Sequence, residues 1–334
     1  MRVAVLVLSW NAADAVVACL EALERQVMPP AYVIVVDNAS VGGVADLIAQ
    51  RFPQMELVRN PRNLGFAGGM NVGIRYARSL PEPPELVVLL NQDTLVDPGW
   101  LAALVRPFAD PQVVAAGGKI RYPDGTLQHA GVELAWPRAL AHHVGWHQPD
   151  TGQHDHERSC DFVTGAALAL RLQALDPLEP LDEGYTPAYF EDLDLCWRLR
   201  RAGGRIVYTP AATLVHHESL SLRDELRRSC YYNRGRLRFV LKSYPLADLE
   251  GPFLEAEQVF LRVHAHLPEG QALRWAYAES LASVSELVAA RRQIEPDLPP
   301  DTVDRFRDLL ITLRRIQATT LRERAWQVVE TMFA

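Results

Sequence analysis

The sequence predicts an α/β fold, a doubly wound and mostly parallel sheet flanked by helices, with a C-terminal helical appendage. Three observations carry that reading. The first 120 residues alternate between unbroken apolar runs and segments of helical spacing. The runs are apolar at both odd and even positions, as strands buried on both faces require. A proline-bounded segment at 245–252 then precedes three amphipathic stretches of helical length. The expected organisation is one domain over 1–244, in halves at 1–120 and 121–244, and a helical region over 253–334.

Residues 3–8 predict the first strand, and Asp14 is placed as the cap of a helix carrying Val16, Leu20, Leu23 and Val27. Strands are expected at 33–36, 56–58 and 86–90, with helices near 43–51 and over 65–77 between them. Asp97-Pro98 starts a helix that runs to Phe108. Asp124-Gly125 marks a hairpin turn, followed by a polar loop bearing His142, His143, His147, His154 and His156. Order resumes at 162–170, a helix runs from Asp192 to Arg201, and a strand covers 205–208. The appendage reads as helices at 253–267, 271–294 and 302–332.

With 334 residues, 49% of them hydrophobic, the chain has ample material for a core and is too long for one minimal domain. A net charge of −7 leaves no basic field for nucleic acid, so an anionic ligand needs a local remedy such as a metal ion, helix N-termini or a few arginines. The four cysteines (Cys19, Cys160, Cys196 and Cys230) are widely spaced in apolar or helical stretches and read as free thiols of a reducing compartment. The apolar N-terminus passes into Ser9-Trp10-Asn11 and a charged helix, so it reads as a buried strand and not a signal peptide. No apolar run approaches the ~18 residues of a membrane span.

Each early strand ends in polar residues: Ser9 and Asn11, Asp37-Asn38, the Asn63 to Asn71 stretch with its glycines, and Asn91-Gln92-Asp93. In a parallel sheet these tips share one edge, where ligands bind. Asp37 suits a pyrimidine base or ribose, the turn at 65–69 permits close backbone approach, and Asp93 is a hard oxygen ligand for Mg²⁺ or Mn²⁺. Singly, each has an ordinary structural reading as a turn, a helix start or a cap; jointly they favour a sugar-nucleotide site. The glycines have neither dinucleotide-fingerprint nor Walker spacing. Glu191 and Asp192, placed just before a helix, offer a general base, whereas Asp194 reads as an ion-pair partner of Arg198 one turn on.

Leu8-Ser9-Trp10-Asn11, Val35-Val36-Asp37-Asn38-Ala39-Ser40, Asn63-Leu64-Gly65-Phe66-Ala67-Gly68-Gly69, Leu90-Asn91-Gln92-Asp93-Thr94 and Glu191-Asp192-Leu193-Asp194-Leu195 follow one another in order. Together they resemble the family-2 glycosyltransferases of the GT-A fold, in the rhamnosyltransferase-like branch, over residues 3 to about 240. The resemblance implies an inverting, metal-dependent transfer from a nucleoside-diphosphate sugar to a saccharide or lipid-linked saccharide hydroxyl. Its donor site would take in Ser9, Asn11, Asp37, Asn63, Gly65, Phe66, Asn71, Gln92, Asp93, Gly165 and Arg234. Asp93 and His216, with His217 as the alternative, would hold Mg²⁺ or Mn²⁺; Asp192, with Glu191 beside it, would be the base. dTDP-rhamnose is favoured as donor, with UDP-linked hexoses behind it. Two departures from the family pattern, Val41-Gly42-Gly43 in place of an acidic residue and an extra residue before Glu191, bear on the acceptor side.

Two rivals stand beside this reading: a nucleotidyltransferase, and a non-catalytic nucleotide-sugar-binding subunit of a polysaccharide assembly. A zinc site in the histidine loop lacks a compact four-ligand set. The last helix interleaves arginines (Arg305, Arg307, Arg314, Arg315, Arg322 and Arg324) with acidic residues, which favours packing or a homodimer over peripheral contact with the inner face of the plasma membrane. The expected location is the cytoplasm.

Overall fold

The computed structural model describes residues 1–175, 180–218 and 224–333, of which 328–333 are described by backbone alone. It forms two compact units, Met1–Leu134 with Ala141–Ser221, and Ala135–Leu140 with Leu222–Ala334. The division therefore falls at 222, where the sequence places it at 245–252.

In chain order the first unit contains β1 (Val3–Ser9), α1 (Ala13–Glu24), β2 (Tyr32–Asp37), α2 (Val44–Arg51), β3 (Glu56–Arg59), α3 (Gly65–Ser79) and β4 (Leu86–Asn91). It continues with β5 (Thr94–Val96), α4 (Trp100–Val105), β6 (Val113–Arg121) and β7 (Leu127–His129). The hairpin β8 (Val132–Ala135) and β9 (Leu140–His143) follows, its tip belonging to the second unit. Then come β10 (Arg158–Ser159), β11 (Ala167–Arg171), α5 (Glu191–Arg201) and β12 (Arg205–His216).

The main sheet has the order β10-β12-β6-β11-β4-β1-β2-β3, with β5 on β12 and β7 on β6. The run β4-β1-β2-β3 is parallel, and β6 is parallel to β12; β11 lies antiparallel between β4 and β6. Helices cover both faces because the central strands are apolar at every position. Val3, Val5, Val7 and Val35 pack with Cys19, Leu20, Leu23, Ile48, Trp100 and Leu104 on one side. Leu6, Leu8 and Val36 point the other way, toward α3. That helix lies close because Gly69 faces the sheet: a Cβ there would stand 2.4 Å from Leu8 Cδ1.

Several expectations are corrected. Asp14 lies inside α1, not at its cap; Ala12 holds the cap position, and Val27 is 74% exposed beyond the helix end. Glu191 and Asp192 form the first turn of α5 instead of preceding it. The strand placed at 205–208 runs on to His216, and residues 113–121, passed over in the sequence, form β6. Its centre, Ala115-Ala116-Gly117-Gly118, lacks β-branched residues; the strand exists because two neighbours bury it.

The second unit holds α6 (Glu225–Ser243), α7 (Leu246–Asp248), a π-helical turn over Leu249–Phe253, α8 (Leu254–His264), α9 (Pro268–Ala282), α10 (Val284–Arg292) and α11 (Thr302–Phe333). The helix expected over 271–294 is thus two, α9 and α10, divided at Ser283. Pro252, which cannot donate to the turn before it, sits in the π-helical turn. Glu257, fully buried, accepts from Arg236, from Arg138 Nε at 2.7 Å and from Tyr277 Oη at 3.3 Å. Burial disfavours its charge, but the arginines outweigh that and hold the carboxyl below the usual range. All four cysteines are free, and burial pushes the Cys19 and Cys160 thiols up to about 12. Among the described residues no helix is long and apolar enough to cross a membrane.

Candidate functional site

Register brings the polar tips together. Ser9 pairs with Asp37, Leu8 with Asn91, and His216 with Thr94. Ser9 Oγ and Asp37 Oδ1 are both buried with no hydrogen-bond partner, while Asp37 Oδ2 accepts from Ser40 N at 3.3 Å. Leaving such a group unsatisfied costs about 1–3 kcal/mol, and two on neighbouring strand ends mark a place where ligand donors would restore the balance.

Other expected donor-site residues shape the walls. Asn11, at φ +60°, accepts from Val41 N at 2.8 Å and donates its own N–H to Ser40 Oγ at 3.0 Å. Asn63 Oδ1 accepts from Asn38 Nδ2 at 2.9 Å and from Gly65 N at 2.8 Å, while Asn38 Oδ1 accepts from Asn60 Nδ2 and Leu64 N, both at 3.0 Å. Gly65, at φ +72°, meets a segment from the other half: Phe66 N donates to Pro187 O at 3.1 Å. Two amides imitate a strand. Gln92 binds Trp10 N and O at 2.9 and 3.0 Å, and Asn71 binds Leu181 N and O at 2.9 and 2.8 Å. The amides of Gln92 and Asn71 thus secure neighbouring chain in place of facing a pocket. Arg234 lies in α6 of the second unit, partly buried, its guanidinium 5.9 Å from the Tyr231 ring centroid.

Asp93 and His216 meet, although 123 residues separate them. Asp93 Oδ1 stands 3.1 Å from His216 Nε2, and both side chains are largely buried. His217 is exposed and contributes only its N–H, which donates to Asp93 O at 2.9 Å. Among the described residues no group of three His, Cys, Asp or Glu side chains surrounds one point. A carboxylate and an imidazole nonetheless suit Mg²⁺ or Mn²⁺ when substrate phosphates complete the shell.

The carboxylate of Asp192 is fixed by two amides, with Gly165 N donating to Oδ2 at 2.7 Å and Leu193 N to Oδ1 at 2.8 Å. A Cβ on Gly165 would lie 3.1 Å from the Phe66 ring and 3.4 Å from Asp192 Cβ, so even an alanine there would press on the ring. Phe66, Gly165 and Asp192 are therefore adjacent. Burial raises the Asp192 pKa above the usual carboxylate range, against the pull of the two amides and of His143. Glu191 is more deeply buried, with Oε2 unpartnered; burial first, and then the Asp192 charge, push its carboxyl well up. Asp194, as expected, is structural, accepting from Arg198 Nε at 2.8 Å and Tyr185 Oη at 3.1 Å.

The sequence missed two groups here. His143, assigned to a loop, lies on β9 with Nδ1 3.2 Å from Nδ1 of the buried His129; burial lowers its pKa, against the opposing pull of Asp192. Gln128 reaches His216 Nδ1 at 2.8 Å from Oε1. Only the turn at Asp124-Gly125 hinted that this hairpin folds back toward the sheet edge.

A family model described as "Glycosyltransferase like family 2" matches residues 1–233. The N-acetylglucosaminyl-diphospho-decaprenol L-rhamnosyltransferase of Mycobacterium tuberculosis is 30% identical over 216 residues, covering 58% of this chain and 68% of that protein. The O-antigen biosynthesis protein RfbC of Myxococcus xanthus is 37% identical over 148 residues, 42% of this chain; the match spans only 12% of that protein's length. Among solved structures, GalNAc-T7 with UDP, GalNAc and Mn²⁺ superposes with a TM-score of 0.59 at 14% identity, over 86% of this chain and 57% of that one. This last likeness is one of fold, and the fold is GT-A.

Proposed function

Because the chain belongs to glycosyltransferase family 2 and is of the rhamnosyltransferase-like kind, we propose that it transfers a sugar, with inversion, from a nucleoside diphosphate to an acceptor hydroxyl. The observation that carries this is the Asp93–His216 contact beside the unpartnered Ser9 and Asp37 oxygens, all on one sheet edge. Asp37 and Ser9 receive the nucleoside's donors. Asp93 and His216 would hold Mg²⁺ or Mn²⁺, which when bound supplies positive charge to the leaving diphosphate.

Asp192 takes the proton from the acceptor hydroxyl. Its raised pKa makes it a better base than an ordinary aspartate, and the amides of Gly165 and Leu193 keep it aimed. The acceptor oxygen then bonds to the anomeric carbon as the bond to the diphosphate oxygen breaks. One displacement inverts the configuration, and the diphosphate leaves with the electron pair.

The rhamnosyltransferase relative supports dTDP-rhamnose as donor and a lipid-linked saccharide as acceptor; the O-antigen relative supports a role in cell-surface polysaccharide synthesis. UDP-linked hexoses are the second choice of donor. The expected setting is the cytoplasm, with the membrane reached through the acceptor and the second unit's helices as the surface for a second copy.

The test is thermal stabilisation by dTDP, UDP and GDP, each with and without Mn²⁺. One nucleotide is expected to raise Tm in a Mn²⁺-dependent way, and Asp93→Ala to abolish the Mn²⁺-dependent part. No shift with any nucleotide would overturn the donor site. Loss of slow donor hydrolysis in Asp192→Asn would separate a transferase from a non-catalytic binding subunit.

A further inference from the structure

The geometry points to Gln128 as the positioning residue that decides which nitrogen of His216 carries the hydrogen, an inference that rests on the metal reading above. The imidazole is buried, with Nδ1 2.8 Å from Gln128 Oε1 and Nε2 3.1 Å from Asp93 Oδ1. Which nitrogen bears the hydrogen follows from the partner of the other. Here that partner is itself oriented from outside.

Gln128 is buried, and its Nε2 donates to Glu218 Oε2 at 2.9 Å. A carboxylate only accepts, so the NH₂ end of the amide must face Glu218 and the oxygen must face His216. The same Glu218 oxygen accepts from Tyr122 Oη at 2.9 Å, and Tyr122 Oη accepts from Trp146 Nε1 at 3.0 Å. An indole N–H can only donate, so donation converges on Glu218 from two sides: Trp146 to Tyr122 to Glu218, and His216 to Gln128 to Glu218. Nδ1 carries the hydrogen and donates to Gln128; in the neutral ring Nε2 then keeps its lone pair toward Asp93.

A bare nitrogen opposite a carboxylate oxygen is repulsive at 3.1 Å. Among the described residues, the donor that reaches it is Asn91 Nδ2, 3.4 Å away. The arrangement becomes favourable when a positive charge, a proton on Nε2 or a metal ion, is shared by Asp93 and His216. Gln128 therefore holds His216 in the tautomer that free histidine favours less, and that tautomer is the one a metal needs.

Two-bond ¹H–¹⁵N correlation spectra of the full chain with ¹⁵N-labelled histidine, without metal at pH 8, test this directly, with His216→Gln identifying the signal. A neutral Nδ1–H form is expected in the wild type. In Gln128→Leu it should revert to Nε2–H, and exposed Glu218→Gln, which frees the Gln128 amide to turn, should give a mixture. A wild-type His216 that is Nε2–H or doubly protonated overturns the inference. Mn²⁺ titration in the presence of UDP or dTDP, followed by the EPR signal of free Mn²⁺, supplies the second reading. Gln128→Leu should weaken binding by about 10–100-fold. Unchanged affinity in that variant overturns the positioning role, whereas no Mn²⁺ binding by the wild type, or binding unaffected by Asp93→Asn, overturns the metal reading itself.

Discussion

Glu191 and Asp192 are neighbours in sequence with different surroundings. Asp192 has two amides to stabilise its charge, and Glu191 has an oxygen with none. Asp192→Asn keeps the shape and removes the base, so kcat should fall by about 10²–10⁴-fold with nucleotide binding unchanged, measured by product formation and thermal shift. Glu191 binds its proton more tightly folded than unfolded, so its contribution to stability is full below the unfolded pKa near 4.5 and is lost as pH rises through the folded value. Glu191→Gln, which cannot ionise, should therefore match wild-type Tm at pH 4 and exceed it as pH rises above the unfolded pKa, levelling off once the folded pKa is passed, in a scanning-fluorimetry series. That Asp37 and Asp93 stand at strand ends and Asp192 at a helix start was legible, because these are local properties. Gln128 was not, since the bond that defines it spans 88 residues and leaves no trace in the residues around it.

The element that places His216 is a strand interrupted by a bulge. Thr209 pairs with Gly118 and Thr213 with Lys119, so residues 210–212 leave the ladder, taking Pro210 where it breaks no pairing. Gly118 makes room: a Cβ there would lie 1.9 Å from Ala212 O. Gly118→Ala should cost stability at the upper end of the roughly 1–3 kcal/mol typical of overpacking, read from urea midpoints, and should also blunt the Mn²⁺-dependent shift. Alternating apolar runs made β1, β2 and β4 readable in the sequence. β6 has a small-residue centre, Ala115-Ala116-Gly117-Gly118, and gains its strand from β11 and β12 on either side. Likewise the strand expected at 205–208 runs on to His216, because only the bulge shows that the chain resumes pairing after Thr209.

At the scale of the molecule, the second unit is organised around a buried ion cluster. Glu257→Ala would leave Arg236 buried without its counter-charge, and a loss of about 3–5 kcal/mol is expected in denaturant unfolding of the full chain. The sequence foresaw a helical region but not that residues 135–140 belong to it, because Arg138 carries no local mark of a partner in α8. That loan of six residues gives the protein a schedule. During synthesis Arg138 leaves the ribosome 98 residues before Arg236, whose Nη1 donates to its carbonyl, and 119 before Glu257. The tip is thus made long before the residues that pair with it, and the second unit cannot be completed until they follow. A fragment that stops at 221 would keep the tip and lose everything that receives it.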